Sequence, residues 1–325
     1  MNEILTLSAL SILVVSFGVG IVVGLTGMGG GALMTPALIF LGVNPTAAVA
    51  NDLVAAAANK SVGAVVHARE GSPNLRLAAW LIVGSVPTAA AGAFIIDAVG
   101  TDESQTTFVK TAIGCALIFT AVTYTLRMYL GMRAAARGVV AGDTDPAVRP
   151  IPTLIVGAVG GLLVGITSVG SGSLIMVALL LLYPTLSAVR LVGTDLVQAV
   201  PLVMSAAITH VIVSGVDVGV LVPLIVGGMP GTFLGARIAN RVPQAVVRRG
   251  IVIVLSLTGL TLLGVPPVAI GLIAAGLVIL GPVVWALVRE QVNRPVPAAD
   301  SADGPAESAP QRSGSSGGSP GDHGA

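Results

Sequence analysis

The chain has 325 residues, of which 54% are hydrophobic and only 10% charged, and its 16 basic and 15 acidic side chains nearly cancel to a formal net charge of +1. A water-soluble fold of this length has too little interior to hide so much apolar surface, so the composition assigns the chain to the lipid bilayer. Thin, balanced charge with no basic block or aromatic platform excludes a nucleic-acid interface.

Residues 1–25 carry Glu3 where a secretion signal would be basic, and their apolar stretch from 4 to 25 is longer than a signal h-region, so they are expected to stay as a first membrane segment. The apolar region 5–41 is interrupted by Thr26-Gly27-Met28-Gly29-Gly30-Gly31. Runs at 46–66, 75–96 and 108–130 follow, each close to the roughly 20 residues a helix needs to cross hydrocarbon. The lone cysteine, Cys115, lies in the third of these, excludes an intramolecular disulfide or thiolate metal cluster, and is expected to be a packed, lipid-buried thiol. Region 152–182 is broken in turn, by Thr167-Ser168-Val169-Gly170-Ser171-Gly172-Ser173, and both breaks predict paired helices or a re-entrant hairpin. Runs at 188–213 and 218–238, a shorter one at 250–263, a Pro266-Pro267 turn and a last run at 268–288 complete the series. The tail beyond, rich in Pro, Ala, Ser and Gly and including His323, is expected to be disordered.

The two halves repeat one another. Val23-Gly24-Leu25-Thr26 recurs as Val164-Gly165-Ile166-Thr167, and Asp52-Leu53-Val54 as Asp195-Leu196-Val197. A histidine follows each aspartate by 15 residues, His67 and His210, and Gly84, Pro87 and Gly92 match Gly227, Pro230 and Gly235 at an offset of 143. Loop charge alternates between the copies. Arg69 and Arg76 oppose Asp217, whereas Asp97, Asp102 and Glu103 oppose Arg237, Arg241, Arg248 and Arg249. Because short cytoplasmic loops are enriched in Lys and Arg, equivalent loops are expected on opposite sides, the pattern of inverted repeats. The expected architecture is therefore all-α, a polytopic transmembrane helical bundle of two inverted-topology repeats with broken Gly/Ser-rich helices. Its parts are repeat 1 over 1–130, a cytoplasmic linker over 131–150, repeat 2 over 151–265, an additional helix over 266–290 and a cytoplasmic disordered tail over 291–325. The basic residues around the linker, Arg127, Arg133, Arg137 and Arg149, are assigned to the cytoplasm.

A break in a helix leaves backbone N–H groups without helical partners, and the N-terminal end of the half-helix that follows is electropositive. Irregular backbone at membrane depth is tolerated where it is buried in protein or faces a polar cavity. Thr26, Gly27, Gly29, Gly30 and Gly31, with Thr167, Ser168, Gly170, Ser171, Gly172 and Ser173, are thus candidates to bind a small oxyanion; the alternative is close helix packing without a ligand. At 100° per residue Asp52, Asn59, Gly63 and His67 share a stripe, and Asp195, Gln198, Ala206, Thr209 and His210 share another. Asn59 and Gln198 join the candidate binding set. An aspartate at mid-membrane costs about 2.5–3.5 kcal/mol on insertion scales, so both should face inward. Fifteen residues span about 22 Å, too far for a pair on one helix. In antiparallel copies Asp52 comes level with His210 and Asp195 with His67, predicting two pairs at opposite ends of a pathway that either gate it or carry protons. The alternative places these groups idle near the interfaces. Lys60, beside Asn59, either attracts an anion or snorkels to water. Neither metal nor cofactor is expected.

On these residues the chain resembles the TauE/SafE family of sulfite and organosulfonate exporters, over about 18–263. The likeness rests on the run from Gly24 to Gly31 with Pro36, on Gly42 and residues 47–53, and on Gly-x-x-Pro-x-x-x-x-Gly at Gly84 and Gly227. It implies a multi-pass cell-membrane protein, not an enzyme, that exports or imports a small inorganic or organosulfur anion such as sulfite, sulfoacetate or thiosulfate. The second copy departs by Ser168, Ser171 and Ser173 and by lacking a partner for Pro36, which predicts a more hydrogen-bonding, less symmetrical site. An anion channel is the rival reading. An intramembrane serine protease with His210 as base is disfavoured, since Val169-Gly170-Ser171-Gly172 is no nucleophile motif and the first copy has Gly30.

Overall fold

The computed structural model describes residues 2–26, 30–70, 73–136, 146–170, 172, 174–186 and 188–293. Among them every regular element is helical: α1 Asn2–Thr26, α2 Gly31–Phe40, α3 Pro45–Glu70, α4 Leu75–Ala98, α5 Asp102–Ala136, α6 Pro150–Thr167, α7 Leu174–Leu182, α8 Ala188–Val213, α9 Val218–Ile238, a 3-10 turn Ala239–Arg241, α10 Gln244–Leu262 and α11 Pro267–Asn293. The helix boundaries have local causes. Asn74 caps α4 by accepting from the Leu77 N–H at 2.9 Å, and Asp217 caps α9 by accepting from the Gly219 N–H at 2.8 Å. Pro150 opens α6 and Pro267 opens α11, where a missing N–H costs nothing.

Seven helices, α1, α4, α5, α6, α8, α9 and α11, are long and apolar enough to cross a membrane. The chain is a polytopic helical membrane bundle. The helices α2 and α7, with 10 and 9 residues, reach only about 15 Å, half the thickness of the hydrocarbon. Both apolar regions that looked interrupted in the sequence are thus a long helix followed by a half-helix.

Three details add to or correct the sequence reading. The run at 250–263 is the inner part of a longer helix, α10, which starts at Gln244, because Arg248 and Arg249 remain in helical backbone at its polar end. The helix α5 continues six residues past the apolar run 108–130 before it ends at Ala136. Cys115 is not packed against other helices but exposed on the outward face of α5, the lipid side of a candidate span, since the inner face of that helix is taken by Ile113, Ala116 and Leu117.

Packing is dominated by long helix pairs: α1 on α9, α4 on α6, α4 and α3 on α8, and α5 on α10. Two of these pairs touch backbone to backbone. A Cβ at Gly24 would strike the Thr232 carbonyl of α9, and one at Gly235 would strike the Ile21 carbonyl of α1. The pair α4–α6 is built alike, with Gly161 against Ser85 and Gly92 against Gly165. Small residues at every fourth position give this contact in lipid, where dispersion and Cα–H···O contacts replace the hydrophobic effect as the force between helices. Leu53, Leu81, Leu117, Leu179 and Leu202 join α3, α4, α5, α7 and α8 in one core. The helix α11 rests mainly against α10 and α5, and its apolar span buries nothing inside the chain.

Candidate functional site

The two helix breaks meet. Gly31, the first residue of α2, lies so close to the Ser168 carbonyl that any side chain there would collide with it. Ser168 ends α6 in the left-handed region, φ 59°, and is the one non-glycine residue with positive φ among the described residues. That conformation costs about 1–2 kcal/mol for an L-residue. Its hydroxyl has a use there: Ser168 Oγ donates to Asp52 Oδ2 at 2.7 Å, and Thr35 Oγ1 of α2 donates to the same oxygen at 2.6 Å. The carboxylate of Asp52 therefore ties α2, α3 and the end of α6 together, and all three side chains are buried.

Other polar groups close the breaks internally. Thr167 Oγ1 donates to the Leu163 carbonyl at 2.6 Å and accepts from the Val169 N–H at 3.1 Å. His210 Nε2 donates to the Gly165 carbonyl at 2.7 Å, serving one of the last carbonyls of α6, while its buried Nδ1 has no hydrogen-bond partner. Gly170, with φ +108°, carries the chain through the second break.

Beside the breaks lies a cavity of about 470 Å³. Gly30 and Gly172 bring the N-terminal ends of α2 and α7 to its wall, Thr26 brings the end of α1, and α3 contributes Asp52, Asn59 and Lys60. Arg127 enters from α5, Asp195 from α8, and Gly20, Gly24, Gly228 and Thr232 form a smooth side from α1 and α9. Asp195 Oδ1 accepts from Gln198 Nε2 at 2.9 Å. Lys60 and Arg127 line this volume together with the two aspartates. Two carboxylates and two cations thus share one cavity, an arrangement whose desolvation is tolerable only because the charges offset one another.

Of the expected site residues, the structure gathers Thr26, Gly30, Asn59, Gly172, Asp52 and Asp195 around this cavity. Ser168 and Gln198 stand one hydrogen bond behind it, each on an aspartate. Gly31, Thr167, Gly170 and His210 shape the breaks without lining the cavity. Gly27, Gly29, Ser171 and Ser173, and the side chain of His67, lie outside the described residues.

The expected Asp52–His210 pair is not formed, because Asp52 bonds to Thr35 and Ser168 and His210 to Gly165. Nor do the aspartates occupy opposite ends of a pathway: both face the one cavity. The half-length of α2 and α7 leaves polar volume at their N-termini, and opposite charges buried at that depth are least costly when they share it. Arg127, assigned from sequence to the cytoplasmic linker, is a cavity residue on α5. The signal for it was the stripe Thr120, Thr123, Tyr124 and Arg127 at helical spacing, whose first three members are buried.

A model of the family described as Sulfite exporter TauE/SafE matches residues 12–262. The chain belongs to this family. The match spans α1 to α10 and leaves α11 outside it. Among curated proteins, the chain is 34% identical to the probable membrane transporter protein YjnA of Bacillus subtilis (strain 168) over 236 residues, 72% of this chain and 91% of that one. It is 29% identical to the probable membrane transporter protein YdhB of the same organism over 258 residues, 78% of this chain and 99% of that one. No solved structure matches. As a TauE/SafE protein with this bundle, the chain is a multi-pass membrane transporter.

Proposed function

We propose that the chain moves small sulfur oxyanions, such as sulfite, sulfoacetate or thiosulfate, across the membrane through the central cavity. The observation that carries this reading is the convergence of Lys60 and Arg127 with the N-terminal ends of two half-helices on one volume. Cations at membrane depth are costly and find their use on a charged cargo, and half-helix N-termini add positive potential aimed at the same point. At about 30 Å³ per water, the 470 Å³ available holds a small oxyanion with several waters. The descriptions of the family and of its curated members support transport as the class of activity.

In this reading the halves 1–130 and 151–265 are inverted units that alternate around the cavity, with the tail on the cytoplasmic side. The reciprocal pairing of α1 with α9 and α4 with α6 supports it. Asp52, Asp195, His67 and His210 serve gating or proton linkage, and the helix breaks hold the anion. Cysteines introduced at Arg76 and Asp217 are expected to react with impermeant reagent from opposite sides; labelling from the same side sinks the inverted scheme.

The function is tested in proteoliposomes with sulfite, thiosulfate, sulfoacetate and lactate, with and without a pH gradient. Saturable, trans-stimulated flux of the sulfur anions is expected. Flux without saturation identifies a channel, and no flux of any sulfur anion overturns the proposal.

A further inference from the structure

The two aspartates of the cavity are equivalent in sequence but not in surroundings. Asp52 is held by two hydroxyl donors, Thr35 at 2.6 Å and Ser168 at 2.7 Å, which fix it to α2 and to the end of α6. Aligning Thr26 with Thr167 puts Gly27 opposite Ser168 and Met176 opposite Thr35, so neither equivalent position, Gly27 of the first copy or Met176 of the second, has a hydroxyl to offer Asp195. Asp195 instead takes one amide hydrogen bond, from Gln198, whose own Oε1 is buried without a hydrogen-bond partner. The cations complete the contrast. Lys60 and Arg127 line the cavity together with Asp195, whose carboxylate, unlike that of Asp52, is not tied to hydroxyl donors. No other acid takes part from the neighbouring α6 and α7, which carry no charged residue.

We infer that Asp195 is a built-in counter-ion: it offsets part of the charge of Lys60 and Arg127 when the cavity holds no anion, and it competes with the anion for them when one arrives. Asp52, whose Oδ2 is anchored by both hydroxyl donors to α2 and α6, is not the carboxylate that competes with the anion. The inference rests on the reading of the cavity as an anion site and assigns its regulation. A site of two unopposed cations would bind an oxyanion and retain it. A fixed carboxylate lowers the affinity and re-forms its own interactions as the anion leaves, and a conducting site needs that balance between entry and exit.

Isothermal titration of the purified full chain with sulfate and with methanesulfonate, both fully ionised around neutral pH, tests this. Asp195→Asn is expected to bind both anions roughly tenfold more tightly than wild type, as loss of a facing unit charge in a low-dielectric cavity implies. In proteoliposomes the same variant should carry them more slowly at saturation. Asp52→Asn is expected to gain no affinity. If Asp195→Asn does not survive extraction, Asp195→Ser makes the same comparison. Wild-type binding with no gain in either Asp195 variant, or with an equal gain in Asp52→Asn, overturns the counter-ion role while leaving the anion site standing. A wild-type chain that binds neither probe, nor sulfite or thiosulfate, overturns the anion-site reading itself.

Discussion

Ser168 and Asp52, 116 residues apart in the chain, meet through a 2.7 Å hydrogen bond that fastens the end of α6 to the N-terminal third of α3. Ser168 makes that bond from a left-handed backbone, φ 59°, that glycine would adopt without strain. The residue is therefore a compromise between backbone comfort and a donor for a buried carboxylate.

That compromise predicts an order of stabilities. Ser168→Ala keeps the strain and removes the donor, and is expected to lose about 1–3 kcal/mol. Ser168→Gly also removes the donor but relieves about 1 kcal/mol of backbone strain, so its loss is smaller. Thermal melting of the two variants in detergent checks the order; a glycine variant less stable than the alanine one refutes it.

Lys60 and Arg127 should both be needed for transport. Lys60→Gln and Arg127→Gln are each expected to weaken anion binding by roughly tenfold or more. Arg127→Lys is expected to recover only part of it, because an ammonium lacks the planar fork that matches an oxyanion. Each Gln variant also leaves Asp195 short of a counter-charge and should melt lower. Lys60→Gln combined with Asp195→Asn should regain stability without regaining flux. Saturation curves in liposomes alongside melting curves separate the two effects.

The helix pairs α1–α9 and α4–α6 should be intolerant of side chains at their contact. Gly24→Leu and Gly161→Leu are expected to abolish folding or to cost more than about 3 kcal/mol, since each added Cβ meets a backbone carbonyl, of Thr232 and of Ser85, that no rotamer can avoid. Gly250, in α10, has nothing within 4 Å of an added Cβ. Gly250→Ala is expected to be neutral or to stabilise by up to about 1 kcal/mol through helix propensity. Expression level and size-exclusion profile report the difference.

The helix α11 should be dispensable for the transport core. Its span buries nothing inside the chain, and the family match ends at residue 262, before it begins. A chain ended after Pro266 is expected to insert, to melt within a few degrees of the full chain and to keep anion flux. Loss of the folded peak on size exclusion would assign α11 a structural duty that its packing does not indicate.

Most of the architecture could be read from the order of residues, because lipid imposes simple rules. Apolar runs of about 20 residues mark the crossings, and small-residue clusters mark where a helix must stop. The Gly/Ser breaks, the long helices and the inward-facing aspartates were legible on those grounds, and the family resemblance followed from the same residues. The partners of the polar groups were not legible. Spacing along one helix placed Asp52 level with His210, yet Thr35 and Ser168 take it, because a half-helix and a left-handed turn bring two hydroxyls closer than any imidazole. Arg127 looked like a linker charge because hydropathy records how polar a segment is and not which way its side chains point. The number and kind of helices were thus determined locally by the chain. Which charges face each other across the 470 Å³ cavity was decided only by how those helices cross, since the balance of charges buried at membrane depth depends on neighbours far apart in sequence.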